Sequence, residues 1–283
     1  MTTPDDTDLL LLDGDWGSLG VTRLGATVSS WRPRGVERLF TAGDATPALG
    51  RMWQGGIPVC APWFGVGQGD WEAPHKHGLV NLVEWQLDEV VETADRTTVR
   101  LSLGAARFAG LPGAARYPSD LQFTYEVALG RALRCTLTAL SPSLGFTMDH
   151  ALHPYFAVSD IEDVELRGLE ELAFRDYARG GSTGASAAPI RFGHHIDRVY
   201  DAAPAVELHD HGRGTGLRLS AEGAASTIVW SPGVEAGPTT RGLSGDEWRR
   251  FVCVEYGSVQ GKASLLEPGI AHTLRFTAEP IDS

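Results

Sequence analysis

The sequence predicts an all-β protein, a large antiparallel two-sheet β-sandwich with few short helices, occupying residues 1–283 as one domain. Three observations lead there. Short runs alternate polar and apolar side chains with a period of two, the spacing that puts every second residue on one face of a strand. The chain carries 34 glycines and 16 prolines, which punctuate those runs and work against long helices. No apolar stripe of 3.6-residue period extends beyond about three turns, the usual length of a helix in a globular protein. Sandwiches of roughly 200 to 250 residues commonly fold as a single unit, and no repeat with a period of roughly 20 to 50 residues points to a propeller or solenoid.

The individual runs follow in chain order. Residues Thr97 to Leu103 place Val99, Leu101 and Leu103 on one face. Gln122 to Leu129 repeats the pattern, and Leu133 to Thr138 sets Leu133, Cys135 and Leu137 inward. Further strands are expected at Gly216 to Ser220, Ser226 to Trp230 and His272 to Ala278, whereas Phe251 to Glu255 is apolar on both faces and reads as a central strand. The segments Ala178 to Pro189, His209 to Gly216 and Ser231 to Gly245 are rich in Gly, Ser, Thr and Pro and read as loops.

Composition narrows the function. With 24 Lys+Arg against 36 Asp+Glu the net charge is −12. Such a field repels phosphate backbones and anionic lipid, so neither a nucleic acid nor a membrane is expected as partner. The segment Met1-Thr2-Thr3-Pro4-Asp5-Asp6 lacks the positive region of a secretion signal, and no apolar run approaches the roughly 18 residues that span a bilayer. A cytoplasmic location is the expectation. Cys60, Cys135 and Cys253 are an odd count in apolar surroundings, without a CxxC, and read as buried free thiols.

Candidate chemistry gathers at a few motifs. In Gly55 to Gly65 the glycines and prolines impose an extended, turning path, and Trp63 and Phe64 are either stacking surfaces for a ligand or core aromatics. Pro74-His75-Lys76-His77-Gly78 follows; its HxH pair is either surface histidine or a pocket wall that Gly78 lets turn inward. In Asp149-His150-Ala151-Leu152-His153-Pro154-Tyr155-Phe156, Pro154 biases His153 away from helix and holds it at a strand end, as an active imidazole or as a core histidine. Glu255 closes the apolar run Phe251-Val252-Cys253-Val254. An unpaired carboxylate costs several kcal/mol to bury, so either the strand emerges into water or a donor meets Glu255. Asp197, ahead of a short strand, suits an Asx turn on local grounds. A rigid His, a Glu, a second His and aromatic walls without a metal signature describe a general acid/base pocket. A Glu of pKa about 4.3 beside a His of about 6.5 would stand as carboxylate and imidazolium, each favouring the other's charge.

These motifs, in this order, resemble the aldose 1-epimerase (mutarotase) superfamily, above all its hexose-6-phosphate 1-epimerase branch. The similarity spans most of the chain: Gly25 to Trp31, Gly55 to Gly65, His77-Gly78 with Glu84-Trp85, His153-Pro154-Tyr155-Phe156, Asp197-Arg198-Val199-Tyr200 and Phe251 to Glu255. The resemblance implies a large β-sandwich, His153 as general acid, Glu255 as general base, and His77 and Asp197 at sugar-binding positions. It implies a sugar or sugar phosphate as the small-molecule partner and no cofactor or metal. Two positions depart from the phosphate-using branch: Gln54 stands where an Arg usually precedes Gly-Gly-Ile-Pro, and Asn81 where an Arg usually follows His-Gly. Both side chains are expected at the substrate's far end, where neither neutralises a dianion as a guanidinium does. Arg51 and Lys76 are the neighbouring cations that would compensate.

The leading expectation is thus an isomerase that interconverts the anomers of a hexose or its 6-phosphate by opening the ring. A non-catalytic carbohydrate-binding or sensing domain is the alternative, and requires His153 and Glu255 to lie too far apart for one sugar ring. A cupin-like metal enzyme recruiting His75 and His77 is a third, weakened because no carboxylate follows at a cupin's short spacing.

Overall fold

The computed structural model describes residues 9–43, 45 and 48–282, and the Met1–Asp6 segment lies outside them. Two large antiparallel sheets form the body. In the nine-stranded sheet the order is Ile190–Arg191, Val164–Arg167, Val206–Asp210, Thr215–Glu222, His272–Asp282, Leu133–Leu140, Gln122–Leu129, Thr97–Gly104 and Gln86–Glu92. The period of two decides its faces. Leu101, Tyr125, Leu137 and Leu274 stand in one cross-strand row on the buried side, while Arg100 and Glu126 pair on the outer side. Each aliphatic or aromatic side chain so buried contributes about 1.5–3 kcal/mol.

The eight-stranded sheet runs Ser182–Gly184, Phe174–Asp176, Ile196–Tyr200, Ser226–Ser231, Phe251–Ser258, His150–Leu152 and Val59–Cys60, with Tyr155–Ala157 also paired to Phe251–Ser258. Its central strand Phe251–Ser258 is buried along its whole length, as the apolar run predicts. Val252, Val254 and Tyr256 join the core shared with the nine-stranded sheet, where Tyr256 meets Phe276 and its hydroxyl donates to the Leu219 carbonyl at 3.1 Å. Phe251, Cys253 and Glu255 therefore face the opposite way. That second face carries smaller clusters, Tyr155 with Phe251 and Cys253, and Cys60 with Phe64, Ala151, Val199 and Ile228.

Among the described residues, helix is confined to the α-helical turn Gly233–Ala236 and short 3-10 turns. All three cysteines are buried free thiols. The expected loops need correction. Ala178 to Pro189 contains the strand Ser182–Gly184, paired with Phe174–Asp176, and Ser231 to Gly245 contains the helical turn. The run His209 to Gly216 is the tip of a hairpin between Val206–Asp210 and Thr215–Glu222. Leu9–Gly14, Gly17–Thr22 and Val28–Pro33 form a further small sheet that the alternation did not single out. In the strands among these, hydrogen bonds from a partner strand decide the backbone where the local sequence does not.

Candidate active site

Two interrupted strands set the site. Leu152 pairs with Tyr256 and Tyr155 pairs with Cys253, so His153 and Pro154 fall between two short strands that share one long partner. His153 is held there by its N–H donating to the Pro58 carbonyl at 3.0 Å. Its Nε2 lies 3.4 Å from Glu255 Oε1, and the two residues are 5% and 1% exposed. The strand does not emerge into water at Glu255; an imidazole meets the carboxyl instead. His153 Nδ1 and Glu255 Oε2 are buried without a hydrogen-bond partner, an arrangement that asks for a polar ligand.

The expected charges need correction. Burial lowers the His153 pKa to about 4 and raises that of Glu255 well above the carboxylate range, where the nearby Asp197 pushes it further. Desolvation thus outweighs mutual attraction and favours the uncharged form of each group. Carboxylic acid plus imidazole holds the same number of protons as carboxylate plus imidazolium, so one proton transfer within the pair interconverts them.

His77 joins this pair. Its ring meets His153 edge to face at 5.3 Å and Phe64 at 4.9 Å. Burial, with His153 and Lys76 adding to it, holds the His77 imidazole well below its usual pKa, and its Nδ1 is unpartnered. Asp197 lies inside the strand Ile196–Tyr200, not in a turn. Its cross-strand row runs through Trp230 and Cys253 to Tyr155, on the same face as Glu255. Burial raises its pKa while His195 and Lys76 pull it down. Lys76 thus stands in the field of both His77 and Asp197; Arg51 is exposed at an isolated bridge to Ala48.

Three expected substrate contacts turn elsewhere. Trp63 is fully buried in the main core, its indole Nε1 donating to the His75 carbonyl at 2.9 Å and its ring against Trp71 and Tyr117. Trp63 packs into the main core, whereas Phe64, the next residue, joins a cluster on the other side and supports His77. Gln54 Nε2 donates to the Arg241 carbonyl at 2.7 Å, and its Oε1 occupies the space that a Cβ on Gly242 would fill. Asn81 is 2% exposed and donates to the carbonyls of His77 and Val59. His75 lies tilted against Trp63 while His77 turns to Phe64 and His153, so the two do not converge.

Other residues were not singled out by sequence. Tyr155 stacks on His153 at 4.8 Å, and with Phe40, Trp230 and Phe251 it forms an aromatic wall. A signal existed: residues 153 and 155 share a strand face by parity. Asp149 accepts from the N–H of Phe64 at 3.3 Å and of Gln260 at 2.8 Å, and burial raises its pKa to about 6. It braces the residue that braces His77. A separate cleft of about 670 Å³, lined by Ser29, Arg32, Phe40, Arg213 and Arg250 among others, contains neither His153 nor Glu255. Its guanidiniums are engaged, Arg32 with Glu37, Arg213 with the carbonyls of Ala157 and Val158, and Arg250 with the Ser159 carbonyl.

The fold is thus a β-sandwich that brings a buried imidazole within 3.4 Å of a buried carboxyl. Residues 8–278 match the family model for aldose 1-epimerase, and the chain belongs to that family of isomerases. A protein of Cenchrus ciliaris named "Putative glucose-6-phosphate 1-epimerase" is 29% identical over 258 residues, covering 87% of this chain and 76% of its own length. A protein of the same name from Salmonella typhimurium is 27% identical over 278 residues, covering 95% and 90%. Among solved structures, a "putative mutarotase" from Salmonella typhimurium superposes with a TM-score of 0.86 at 23% identity, over 99% of this chain and 92% of that one. The galactose 1-epimerase of Lactobacillus acidophilus superposes with a TM-score of 0.74 at 15% identity, over 97% and 94%. These two share the fold.

Proposed function

We propose that this protein interconverts the α and β anomers of an aldohexose by general acid/base ring opening, with His153 as acid and Glu255 as base. The observation that carries the reading is the 3.4 Å approach of His153 Nε2 to Glu255 Oε1 in a buried setting, each residue keeping one unpartnered polar atom. The binding-only alternative needs the two residues apart, and loses its footing at that distance. Starting from the carboxylate and imidazolium form of the pair, Glu255 takes the proton of the C1 hydroxyl while His153 gives its proton to the ring oxygen. The bond from C1 to the ring oxygen breaks and the C1 carbonyl forms. After rotation about the bond from C1 to C2, the C5 hydroxyl adds to the other face of the carbonyl. His153 recovers its proton from that hydroxyl, and Glu255 returns one to the C1 oxygen. Atoms and protons balance, and no redox step occurs.

His77, propped by Phe64, and Asp197 are assigned to the sugar hydroxyls, because His77 packs against His153 and Asp197 acts on the Glu255 carboxyl electrostatically. At the far end of the sugar, the amide nitrogens of Gln54 and Asn81 are committed to protein carbonyls. This supports an unphosphorylated hexose as the better substrate. The test is anomer-resolved NMR or polarimetry on freshly dissolved glucose, galactose and their 6-phosphates. Acceleration of anomer exchange above the spontaneous rate for at least one of the four is expected; none would refute the assignment.

A further inference from the structure

His77 has a left-handed backbone, φ +65, which residues carrying a Cβ adopt at an energetic cost and keep only where surroundings over-determine it. Its surroundings do so. The His77 N–H donates to the Gly65 carbonyl at 3.0 Å, and its own carbonyl accepts from Asn81 Nδ2 at 2.6 Å. Gly78 then continues at φ +82 with its α-carbon so close to Ala61 that a Cβ would lie 1.9 Å from the Ala61 oxygen. Asn81 sits four residues after His77, in the short turn Val80–Leu82, and its Nδ2 also donates to the Val59 carbonyl at 3.0 Å. Two carbonyls accept from this amide, so its nitrogen faces them, which leaves Oδ1 buried and unpartnered. The amide thus ties the turn that carries His77 to Val59, beside Cys60 in the eight-stranded sheet.

We propose that Asn81 is a positioning residue: by holding the His77 carbonyl it keeps that imidazole edge-on to His153, with Nδ1 free for the sugar. The inference rests on the reading of His77 as a sugar contact. It also gives the departure at position 81 a physical content, since the amide serves the protein backbone and not the substrate's far end.

Two variants test it. Asn81→Ala removes the donor without adding charge, and Asn81→Asp turns it into an acceptor facing two carbonyls. In folded protein, below the melting temperature of each variant, KM for the best sugar is expected to rise about tenfold while kcat stays within about threefold. The ¹H–¹⁵N resonances of the His77 ring should shift. In a His77→Ala background, Asn81→Ala should raise KM no further, because the two residues act as one unit. A residue that merely stabilises the fold would lower the melting temperature and leave KM and the His77 resonances alone. Wild-type KM with unmoved His77 resonances overturns the proposal, and so does an effect that adds in full to that of His77→Ala. Should neither variant fold, Asn81→Ser keeps a shorter donor and should give an intermediate KM, with a wild-type value again overturning the proposal. If His77→Ala alone leaves KM unchanged, the sugar-contact role of His77 falls, while its resonances in Asn81→Ala still report whether Asn81 positions the ring.

Discussion

Burial shifts both His153 and Glu255 toward their uncharged forms, lowering the imidazole pKa and raising that of the carboxyl, and the closeness of the two groups shapes what a mutation does. Glu255→Gln keeps the shape of the carboxyl but cannot accept the hydroxyl proton, and His153→Ala removes the acid. Each is expected to lower kcat/KM by about 10²- to 10⁴-fold, and the double variant by little more than the worse single one, because the two act in one proton circuit. Near-wild-type turnover in either purified, folded variant would remove that residue from the mechanism. Phe64 and Tyr155 meet the imidazoles through their ring faces and edges, so their truncation is expected to alter binding more than chemistry.

The short strand His150–Leu152 and the turn through Gly78 hold these side chains in place, and both make predictions at their own scale. Burial lowers the His150 pKa to about 3, with His272 contributing. The folded state therefore refuses a proton that the unfolded chain accepts below about pH 6.5. Stability from this group is complete above that pH and declines as pH falls toward 3, by up to about 1.4 kcal/mol per pH unit. His150→Asn removes this penalty, so its stability difference from wild type should shrink between pH 7 and 5 in denaturant titrations. A constant difference would mean that His150 titrates normally in the folded protein. Gly78→Ala meets both a left-handed φ and the Ala61 carbonyl, and is expected to cost more than about 1–3 kcal/mol of stability. A melting temperature within a degree or two of wild type would show that the turn relaxes freely.

Over the whole molecule, a net charge of −12 opposes the approach of a phosphate dianion. With Gln54 and Asn81 engaged internally, the two guanidiniums of the phosphate-using pattern have no replacement at their own positions. A charged hydrogen bond is worth about 1.5–3 kcal/mol, so losing two removes about a hundredfold or more in affinity. Titration with glucose and glucose 6-phosphate at two salt concentrations should show no preference for the phosphate that weakens with salt. A strong, salt-sensitive preference would place the compensating charge on Lys76 or Arg51.

Alternation in runs such as Thr97 to Leu103 and Gln122 to Leu129 determined the fold class, because a period of two is a local property that burial of one face amplifies. The ordered motifs around His77, His153 and Glu255 likewise pointed to an acid/base site, since proline, glycine and an apolar strand constrain those residues through their immediate neighbours. Tertiary structure alone decided which side chains turn toward the pair. Trp63 and Phe64 are adjacent in sequence yet pack on opposite sides, and Asn81 and Gln54 give their donors to carbonyls of other segments. The protonation state of the His153–Glu255 pair was also beyond local reading, because desolvation depends on everything that surrounds the two groups and outweighs the single attraction between them.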